Sequence, residues 1–596
     1  MADVKLQDLI KKYALINAID FDGEANIGAV MGKIMGERKD LRKKAQEVKK
    51  LVVEVVQEIN QISVEEQKKQ VLAMDPHALD EEESEPEDKS LPELEGAEDG
   101  EIVMRLAPYP SGALHIGNAR MLVLNDQYVK RYNGKLLLVF DDTIGTTKKT
   151  MNDPNAKYVL PEAYDLIPEG LEWLGIDYHE TYYKSDRVEI YQDEAGKLID
   201  KGEAYVCSCS AKEFRKKYKR PGKECPHRNK PIEYHQEMYD KMKEGKIGEG
   251  GAVVRLKTGM DQKDPALRDH IIMRISDAPH PRIGTKYRLW PILEWSWGLD
   301  DHLLGVSHII RGIDLRKEGE VEKYIWDLYG WEHPHIQLYG RLKFENLKLS
   351  KTQARKNINA GKYNGWNDPR TWSLQSLKER GIKPEAIRGS LLDLGLSRRG
   401  IVFDQDWIYS KNTSLIDPIA DRYWYVEDPH KTVVKNIDYN KEIFTAKPLI
   451  NPNDESKGTR NVDVRIKQNQ SSLFISKKEL EDEFNYKGKL TRPKLEEGEI
   501  LRFKDIFDVK ISSLGDPVLA EFKSFEKGES GKIIQAVPEN DYVNVKILQP
   551  NGTITKGYGE ANLRGVPRDE VVQFVRYGFV CPKEISDDEI FCYFTH

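Results

Sequence analysis

The spacing of apolar and polar residues divides the chain into regions of different character. Between Leu6 and Leu72 apolar residues recur at helical intervals, which predicts a helical domain over residues 1–75. Residues 101–345 alternate short apolar runs with helical runs, as expected of a parallel sheet with helical crossovers. After Pro418 short alternating runs are separated by turn signals, which predicts an all-β region of one or two barrels.

The middle region has the order of a nucleotide-binding fold. The apolar EIVMRL is followed by the turn-rich APYPSGAL, a helical run that ends at Asn133-Gly134, and the β-rich KLLLVFDDT. Strand, glycine turn, helix and strand form one half of a doubly wound sheet. A second half is predicted around LLGVSHIIRG and HIQLYGRL, and a long insertion near residues 190–270 lies between the halves.

Charge is concentrated in one segment, which we interpret as an acidic linker over residues 76–100. From Asp80 to Glu101 twelve acidic residues stand against one lysine, a local charge of −11. Because the whole chain of 596 residues carries −7, the remainder carries +4. A polyanionic partner such as nucleic acid is therefore permitted by the charge balance.

The chain offers no sign of a membrane span or secretion. It contains no run of eighteen uncharged apolar residues, and its opening MADVKLQDLIKKY lacks the basic start and apolar middle of a signal peptide. We therefore expect a soluble, cytoplasmic protein without a membrane partner. Its length predicts several domains.

Five cysteines are too few for a disulfide scaffold, but a cluster of them is close in sequence to a histidine. The cluster comprises Cys207, Cys209, Cys225 and His227. Three sulfurs and one nitrogen suit tetrahedral zinc of the closed, structural kind. The alternative is an unliganded group of thiols.

Two segments carry residue types that suit a triphosphate. In the turn after the first strand, Gly112 and Gly117 allow close backbone approach, and His115 falls at the start of a helix, where the dipole favours phosphate oxygens. Far downstream, the segment LKLSKT at 347–352 holds two lysines that could neutralise a pyrophosphate leaving group. Either segment alone is more often structural, and together they indicate a nucleotide site.

These segments carry a specific resemblance. His115-Ile-Gly-Asn118 is similar to the HIGH element and Leu347-Lys-Leu-Ser-Lys351 to the KMSKS element of class I aminoacyl-tRNA synthetases. The chain resembles the archaeal type of glutamyl-tRNA synthetase in the order of RLAPYPSGALHIGNAR, FDDT, YKSDRVEIY, GLDDHLLGVSHIIRG, NGWNDPR, LKERGIKPEAIR, IDPIADRYWYV and IIQAVPE. The likeness covers essentially the whole chain.

The resemblance implies a multi-domain α/β plus all-β protein. A Rossmann-type catalytic domain would carry an acceptor-binding insertion with structural Zn²⁺. Residues 346–416 would form the KMSKS-like loop and a helical connecting domain, and residues 417–596 the β-barrels that bind the anticodon. The N-terminal helical domain would dock a protein partner or only stabilise the chain.

The activity implied is ATP-dependent activation of L-glutamate and its transfer to the 3′ end of tRNA(Glu), with tRNA(Gln) open as a second acceptor. Magnesium would share the phosphate charge. His115, Asn118, Ser350 and Lys351 would be catalytic. ATP would be bound by His115, Gly117, Asn118, Asp314 and Lys351. The amino acid would be bound by Arg105, Ala107, Ser111, Asp141 and Arg311, with arginine suited to carboxylate pairing.

Several positions depart from the family pattern, and alternatives stay open because of them. Asn118 replaces the second histidine, Val139 an arginine, Ile144-Gly145 an acidic or amide residue and proline, and Leu293 an aromatic hydroxyl near the substrate. These changes mean either reduced activity or only different packing. A glutaminyl enzyme and a non-catalytic tRNA-binding paralogue are therefore the competing interpretations.

The insertion contains SAKEFRKKYKRPGKECPHRNK, a basic run interleaved with Tyr and Phe. This composition suits a single-stranded RNA end through phosphate pairing and base stacking. A solvated basic face is the simpler alternative.

Overall fold

The computed structural model describes residues 2–20, 23–38, 45–75, 91–143, 145, 147–148, 150–344, 347, 349–484, 490–528 and 531–596. Most of the predicted acidic linker, Ile144 and Lys348 lie outside these residues. The chain divides into two compact units, Met1–Ser90 and Leu91–His596. Among the described residues no helix is long and apolar enough to cross a membrane.

The first unit is helical, as its periodicity predicts. Its helices are α1 Ala2–Asp20, α2 Ile27–Glu37, α3 Ala45–Ile59 and α4 Val64–Met74. The side chain of Asn26 caps α2 by accepting from the Gly28 and Ala29 amides, and Ser63 caps α4. Apolar faces of the helices meet in one core that includes Ile10 and Val52.

The second unit begins with the predicted catalytic region and its connecting helices. In chain order the elements are β1 Val103–Leu106, α5 Ile116–Arg131, β2 Lys135–Phe140, α6 Ala163–Trp173, β3 Glu180–Tyr183, α7 Val188–Asp200, β4 Ala204–Cys207, α8 Ala211–Glu213, α9 Ile232–Lys243, β5 Val253–Leu256, β6 Ile271–Ile275, β7 Leu289–Pro291, α10 Leu293–Leu303, β8 His308–Gly312, α11 Arg316–Tyr329, β9 His335–Tyr339, β10 Leu342–Phe344, α12 Lys351–Asn359, α13 Leu374–Glu379, α14 Pro384–Leu392, β11 Ile401–Phe403 and α15 Asp406–Ile416.

The predicted two halves of the parallel sheet meet edge to edge. Strands β1, β2 and β3 pair in parallel in that order, and β8 pairs in parallel with β9. Just before β8, the Ser307 amide donates to the Val103 carbonyl of β1 at 3.0 Å. The strands therefore follow the order β3-β2-β1-β8-β9, in which the crossover after β3 places the ligand crevice at the carboxyl end of β1. The doubly wound fold class is confirmed.

The insertion between the two halves has its own antiparallel sheet. Strands β4, β5, β6 and β7 are adjacent in that order, so the sheet continues past residue 270 to Pro291. Helices α7 and α9 cover the sheet through a shared apolar core that includes Leu198 and Met242.

The C-terminal region is all β, as predicted. Its strands are β12 Arg422–Tyr423, β13 Tyr425–Glu427, β14 Pro429–Lys435, β15 Ile443–Ala446, β16 Val462–Arg465, β17 Ser471–Ser476, β18 Glu483–Phe484, β19 Leu490–Arg492, β20 Ile500–Phe503, β21 Phe507–Ser513, β22 Val518–Ser524, β23 Lys532–Ile534, β24 Ala536–Pro538, β25 Tyr542–Leu548, β26 Ile554–Glu560, β27 Val572–Phe574, β28 Gly578–Ile585 and β29 Glu589–Phe594.

Two seven-stranded sheets dominate this region, and both close into barrels. The first has the order β12-β27-β28-β29-β25-β26-β13, and its two edge strands are separated only by Trp424. The second has the order β23-β20-β21-β22-β14-β17-β24, and its edge strands are separated only by Gln535. One continuous stretch of chain therefore supplies both edges of each sheet. We name them the outer barrel and the nested barrel, because the second lies in sequence within the first.

The outer barrel is anchored to the connecting helices. The fully buried Arg380, just after α13, donates from Nε to the Phe594 carbonyl at 3.0 Å and from Nη2 to the Thr595 carbonyl at 2.7 Å. His596 stacks on Tyr409 of α15 at 5.2 Å. Residues 594–596 thus attach the outer barrel to the connecting helices.

Candidate active site

The turn between β1 and α5 is held by close packing at a glycine. Gly112 has a φ of +136°, and a β-carbon there would lie 2.2 Å from a ring carbon of Trp366. Glycine is therefore required. His115 precedes the first residue of α5, and its amide donates to the Asn118 side chain at 3.2 Å. The turn thus presents His115 at a helix start.

The His115 ring is held neutral at physiological pH. Burial, with a further contribution from the Lys351 charge, lowers the pKa of His115 to about 4. Its Nδ1 is buried and makes no hydrogen bond within the described part of the chain. A neutral imidazole at the positive end of a helix can donate one hydrogen bond to a phosphate oxygen.

Lys351 lies against the same turn, although it is more than two hundred residues away in the chain. Its Nζ donates to the Gly112 carbonyl at 3.3 Å, and α12 begins at Lys351 with Ser350 as the cap. Burial, followed by the neighbouring Lys157 charge, lowers the pKa of Lys351 to about 8. The structure therefore brings the two predicted nucleotide motifs together.

These motifs border a cavity of about 730 Å³ at the carboxyl ends of the strands. The predicted residues that line it are Ala107, Ser111, His115, Asn118, Asp141, Ser350 and Lys351. Gly117 packs behind the imidazole, where a β-carbon would lie 3.0 Å from the His115 ring. Arg105, Arg311 and the exposed Asp314 are not among the lining residues.

The two arginines predicted to receive carboxylates are each paired inside the protein. Arg105 binds both oxygens of Asp301, with Nη2 to Oδ2 at 2.8 Å. Arg311 binds both oxygens of Glu322, at 2.9 and 2.7 Å. All four groups are buried. Each positive charge is thus already matched by a fixed negative charge.

Asp141, the predicted ligand of the amino group, also has an internal partner. The fully buried Lys184 places Nζ 3.2 Å from Asp141 Oδ1 and donates to Ser296 Oγ at 2.9 Å. Unlike the arginines, Asp141 borders the cavity directly. It remains a candidate for the substrate ammonium, with Lys184 as its fixed counter-charge.

The departures from the family pattern fall on different sides of the cavity. Val139 is buried in β2 against Trp326, away from the cavity lining. Gly145 and Leu293 both line the cavity. A β-carbon on Gly145 would lie 2.8 Å from the Tyr109 hydroxyl. The Gly145 and Leu293 departures therefore change the surface that meets a substrate, whereas Val139 changes packing.

Sequence reasoning missed Tyr109, Lys157, Lys184 and Trp297. Lys184 directly follows β3, and Tyr109 lies in the turn that follows β1. Residues at the carboxyl ends of parallel strands are expected at the ligand crevice. That signal was available. Trp297 lies within α10, and no local pattern marks which face of that helix borders the cavity.

The predicted metal ligands lie together at the edge of the insertion. The four ligand atoms of Cys207, Cys209, Cys225 and His227 lie within 4.8 Å of one another. The Cys207 and Cys225 sulfurs are 3.9 Å apart, and the Cys209 sulfur is 3.5 Å from His227 Nδ1. Sulfurs bound at about 2.3 Å to a tetrahedral zinc lie about 3.8 Å apart. The donor set therefore fits zinc.

The basic run of the insertion differs in part from its predicted role. Lys212, Arg215, Lys216 and Lys217 are exposed and available to phosphates. Phe214, however, is buried beneath the Arg255 guanidinium, whose carbon lies 3.5 Å from the ring centroid. It is not accessible for base stacking, because the short helix turns it toward the β4–β5 edge.

Comparison with known proteins agrees with this architecture. The family described as tRNA synthetases class I (E and Q), catalytic domain, matches residues 101–408. Two families described as the anti-codon binding domain of the same synthetases match residues 420–523 and 517–583. The matches cover the doubly wound sheet with its connecting helices and most of the two barrels.

Similar proteins extend over the whole chain. The glutamate–tRNA ligase of Pyrococcus furiosus is 41% identical, with 100% of both chains covered. Those of Pyrococcus abyssi and Methanobrevibacter smithii are each 39% identical, with 100% and 99% of both chains covered. The chain therefore belongs to the class I tRNA synthetases of the E and Q type and is an aminoacyl-tRNA ligase.

Proposed function

We propose that this protein is a glutamate–tRNA ligase, which activates L-glutamate with ATP and transfers the glutamyl group to tRNA(Glu). In the first step an α-carboxylate oxygen attacks the α-phosphorus of ATP, and pyrophosphate leaves. In the second step the terminal ribose hydroxyl of tRNA attacks the activated carbonyl, and AMP leaves. The observation that carries the proposal is the meeting of His115 and Lys351 at one cavity that Asp141 also lines.

The chemistry at ATP needs placement and positive charge more than covalent help. His115 would donate to a phosphate oxygen without adding charge, because its pKa of about 4 keeps the ring neutral. Lys351 would supply charge to the leaving pyrophosphate from the opposite motif. Membership of the class implies ATP and Mg²⁺. Since Asp141 is already paired with Lys184, the metal would be held mainly by the phosphates and water.

The tRNA would be bound by exposed cations of the insertion and by the barrels. Between the two barrels lies a cavity of about 630 Å³, lined by side chains of both, among them Lys478, Arg492 and Arg576. The same lining holds three carboxylates, those of Glu427, Glu479 and Glu483, and the half-buried ring of Tyr577. Hydrogen-bonding side chains beside an aromatic ring suit an unstacked base. We therefore infer that this cavity receives anticodon bases. We also propose that the protein acts in the cytoplasm on tRNA(Glu), with tRNA(Gln) as a second acceptor to be tested.

The test is aminoacylation of separate tRNA(Glu) and tRNA(Gln) transcripts with labelled glutamate or glutamine. We expect glutamyl-tRNA(Glu), with loss of product in Lys351→Ala. Charging with glutamine and not glutamate would instead identify a glutaminyl enzyme. Tight tRNA binding without any aminoacyl product would identify a non-catalytic paralogue. ATP–pyrophosphate exchange must include tRNA, because members of this family can require it for activation.

We also propose one structural Zn²⁺ per chain at Cys207, Cys209, Cys225 and His227. The other ring nitrogen of His227 lies 3.0 Å from Ser208 Oγ, a partner that fixes the ring orientation. Elemental analysis should find about one zinc per chain, lost in Cys225→Ser and retained in the control Cys581→Ser, a buried cysteine of the outer barrel. Zinc retained in Cys225→Ser would contradict the assignment. Chelation should also raise protease sensitivity within residues 204–291.

A protein partner for the N-terminal helical unit is a further proposal from the sequence. Copurification with and without residues 1–72, followed by identification of a saturable partner, tests it. An unchanged set of bound proteins would favour a purely stabilising role.

A further inference from the structure

The amino-acid end of the cavity does not expose the arginines that were expected there. The guanidinium carbons of Arg105 and Arg311 lie 4.5 and 5.7 Å from the ring centroid of Trp297, and Lys184 Nζ lies 5.0 Å from it. Trp297 borders the cavity, whereas none of these three cations does. Trp297, and not these three neighbouring cations, is therefore the residue that the cavity exposes here.

Trp297 carries a buried hydrogen-bond donor without a partner. The residue is 6% exposed, and its Nε1 makes no hydrogen bond within the described part of the chain. An indole N–H can only donate, so its partner must be an acceptor atom. Leaving such a donor unpaired in a folded protein is costly, which makes an unpaired one at a cavity wall a candidate for ligand binding.

Tyr109 has the same property at the same cavity. Its hydroxyl is buried and forms no well-oriented hydrogen bond among the described residues, although the Gly145 backbone amide is near enough to influence it. Burial, followed by the Asp141 charge, raises the pKa of Tyr109. The hydroxyl therefore keeps its proton and can donate. Leu293, another residue of the lining, supplies no polar side-chain atom.

We propose that Trp297 Nε1 and Tyr109 Oη determine amino-acid specificity by donating hydrogen bonds to the side-chain oxygens of the substrate. This inference rests on the proposed function. A carboxylate can accept from both donors at once, in two charge-assisted hydrogen bonds. An amide oxygen can accept from Trp297, but its N–H₂ group would then need the Tyr109 hydroxyl as acceptor, which leaves the proton of that hydroxyl unpaired. Each of the three cations around the indole is already paired with a buried carboxylate, so the two donors, and not a net positive charge, would select the side chain.

The assignment gives each polar group of the amino acid a place. Its ammonium would lie at Asp141, and its α-carboxylate would face the ATP phosphate. Its side-chain oxygens would lie at Trp297 and Tyr109. The arginines then act as positioning residues beside the indole and need not contact the substrate.

The test measures binding of non-hydrolysable sulfamoyl analogues of glutamyl- and glutaminyl-adenylate by titration calorimetry. The variants are Trp297→Phe and Tyr109→Phe, which keep the rings and remove only the donors. The control is Tyr324→Phe, whose hydroxyl donates to the Lys257 carbonyl outside the cavity. Each variant should weaken the glutamyl analogue about tenfold to a hundredfold, as expected for a hydrogen bond to a charged group.

Binding of ATP alone should change less than about threefold in both variants, and the preference for the glutamyl over the glutaminyl analogue should narrow. Unchanged affinity for the glutamyl analogue in both variants would overturn the inference and leave the proposed function standing. If the wild type binds neither analogue, the proposed function fails and the inference with it. If Trp297→Phe loses the circular dichroism spectrum of the folded protein, the affinity of Tyr109→Phe for the glutamyl analogue alone decides whether the inference stands.

Discussion

Lys351 should couple ATP binding to proton uptake in a range that can be measured. Its pKa is lowered from 10.5 to about 8 by burial and by Lys157. With a pKa of 8, about 0.1 of the side chain is deprotonated at pH 7, about half at pH 8 and about 0.9 at pH 9. The phosphates of ATP would stabilise the charged form and move the pKa back toward its ordinary value.

Binding of ATP should therefore take up about half a proton at pH 8 and about 0.9 at pH 9, and the affinity should fall about tenfold from pH 7 to pH 9. That loss corresponds to about 1.4 kcal/mol. His115 does not contribute, because its pKa of about 4 leaves it neutral throughout this range. Lys351 alone therefore makes ATP binding take up a proton and not release one, because the protein without ATP disfavours the charged form of this lysine.

Titration calorimetry in two buffers of different ionisation enthalpy measures this proton uptake directly. Lys351→Arg should bind ATP without taking up a proton and without loss of affinity at pH 9, because arginine stays charged. Lys351→Met should bind weakly at every pH. Equal proton uptake by the wild type and Lys351→Met at pH 8 would refute the reasoning, since the proton would then enter elsewhere.

Two further substitutions test the scaffold around this site. Gly112→Ala should lower stability by about 2 kcal/mol or more and raise KM for ATP, because its β-carbon would overlap Trp366. Gly175→Ala, at a φ of +67° with open space around it, is the matched control and should lose only about 1 kcal/mol in a thermal melt. Arg380→Met should release the outer barrel, seen as faster proteolysis after Pro418 and a lower kcat/KM for tRNA, since the carbonyls of Phe594 and Thr595 lose a charged donor. Unchanged proteolysis in Arg380→Met would contradict this prediction, because the other contacts would then be sufficient to hold the outer barrel in place.

The parts of the fold that follow local periodicity were predictable, and the site residues at strand ends were nearly so. The turn from β1 into α5 and the two halves of the sheet follow from hydrophobic spacing and glycine placement. His115 and Lys351 meet because the carboxyl ends of parallel strands share one edge. For these elements local sequence and the rules of parallel sheets are sufficient.

The ion pairs could not be predicted, because they depend on distant parts of the chain. Arg105 and Asp301 are separated by 196 residues, and neither sequence segment indicates that the other will neutralise it. Arg311 and Glu322 are close in sequence but meet only when β8 and α11 pack together. Closure of each barrel also depends on pairing between remote strands. The local sequence suggested that Phe214 was available for stacking. It is buried under Arg255, a residue of the insertion sheet, and the sequence around Phe214 does not indicate that contact.

The threading of the two barrels has a consequence for synthesis of the protein. The outer barrel receives its first strands at 422–427, and its remaining strands come from residues 542–594, after the nested barrel has been completed. During translation the nested barrel can therefore close before the remaining strands of the outer barrel have been synthesised. The final strand pairs with β25 and β28, and the residues after it reach Arg380. Arg380 can therefore acquire its carbonyl partners at Phe594 and Thr595 only after the strands of both barrels have been synthesised, so the outer barrel becomes attached to the connecting helices last.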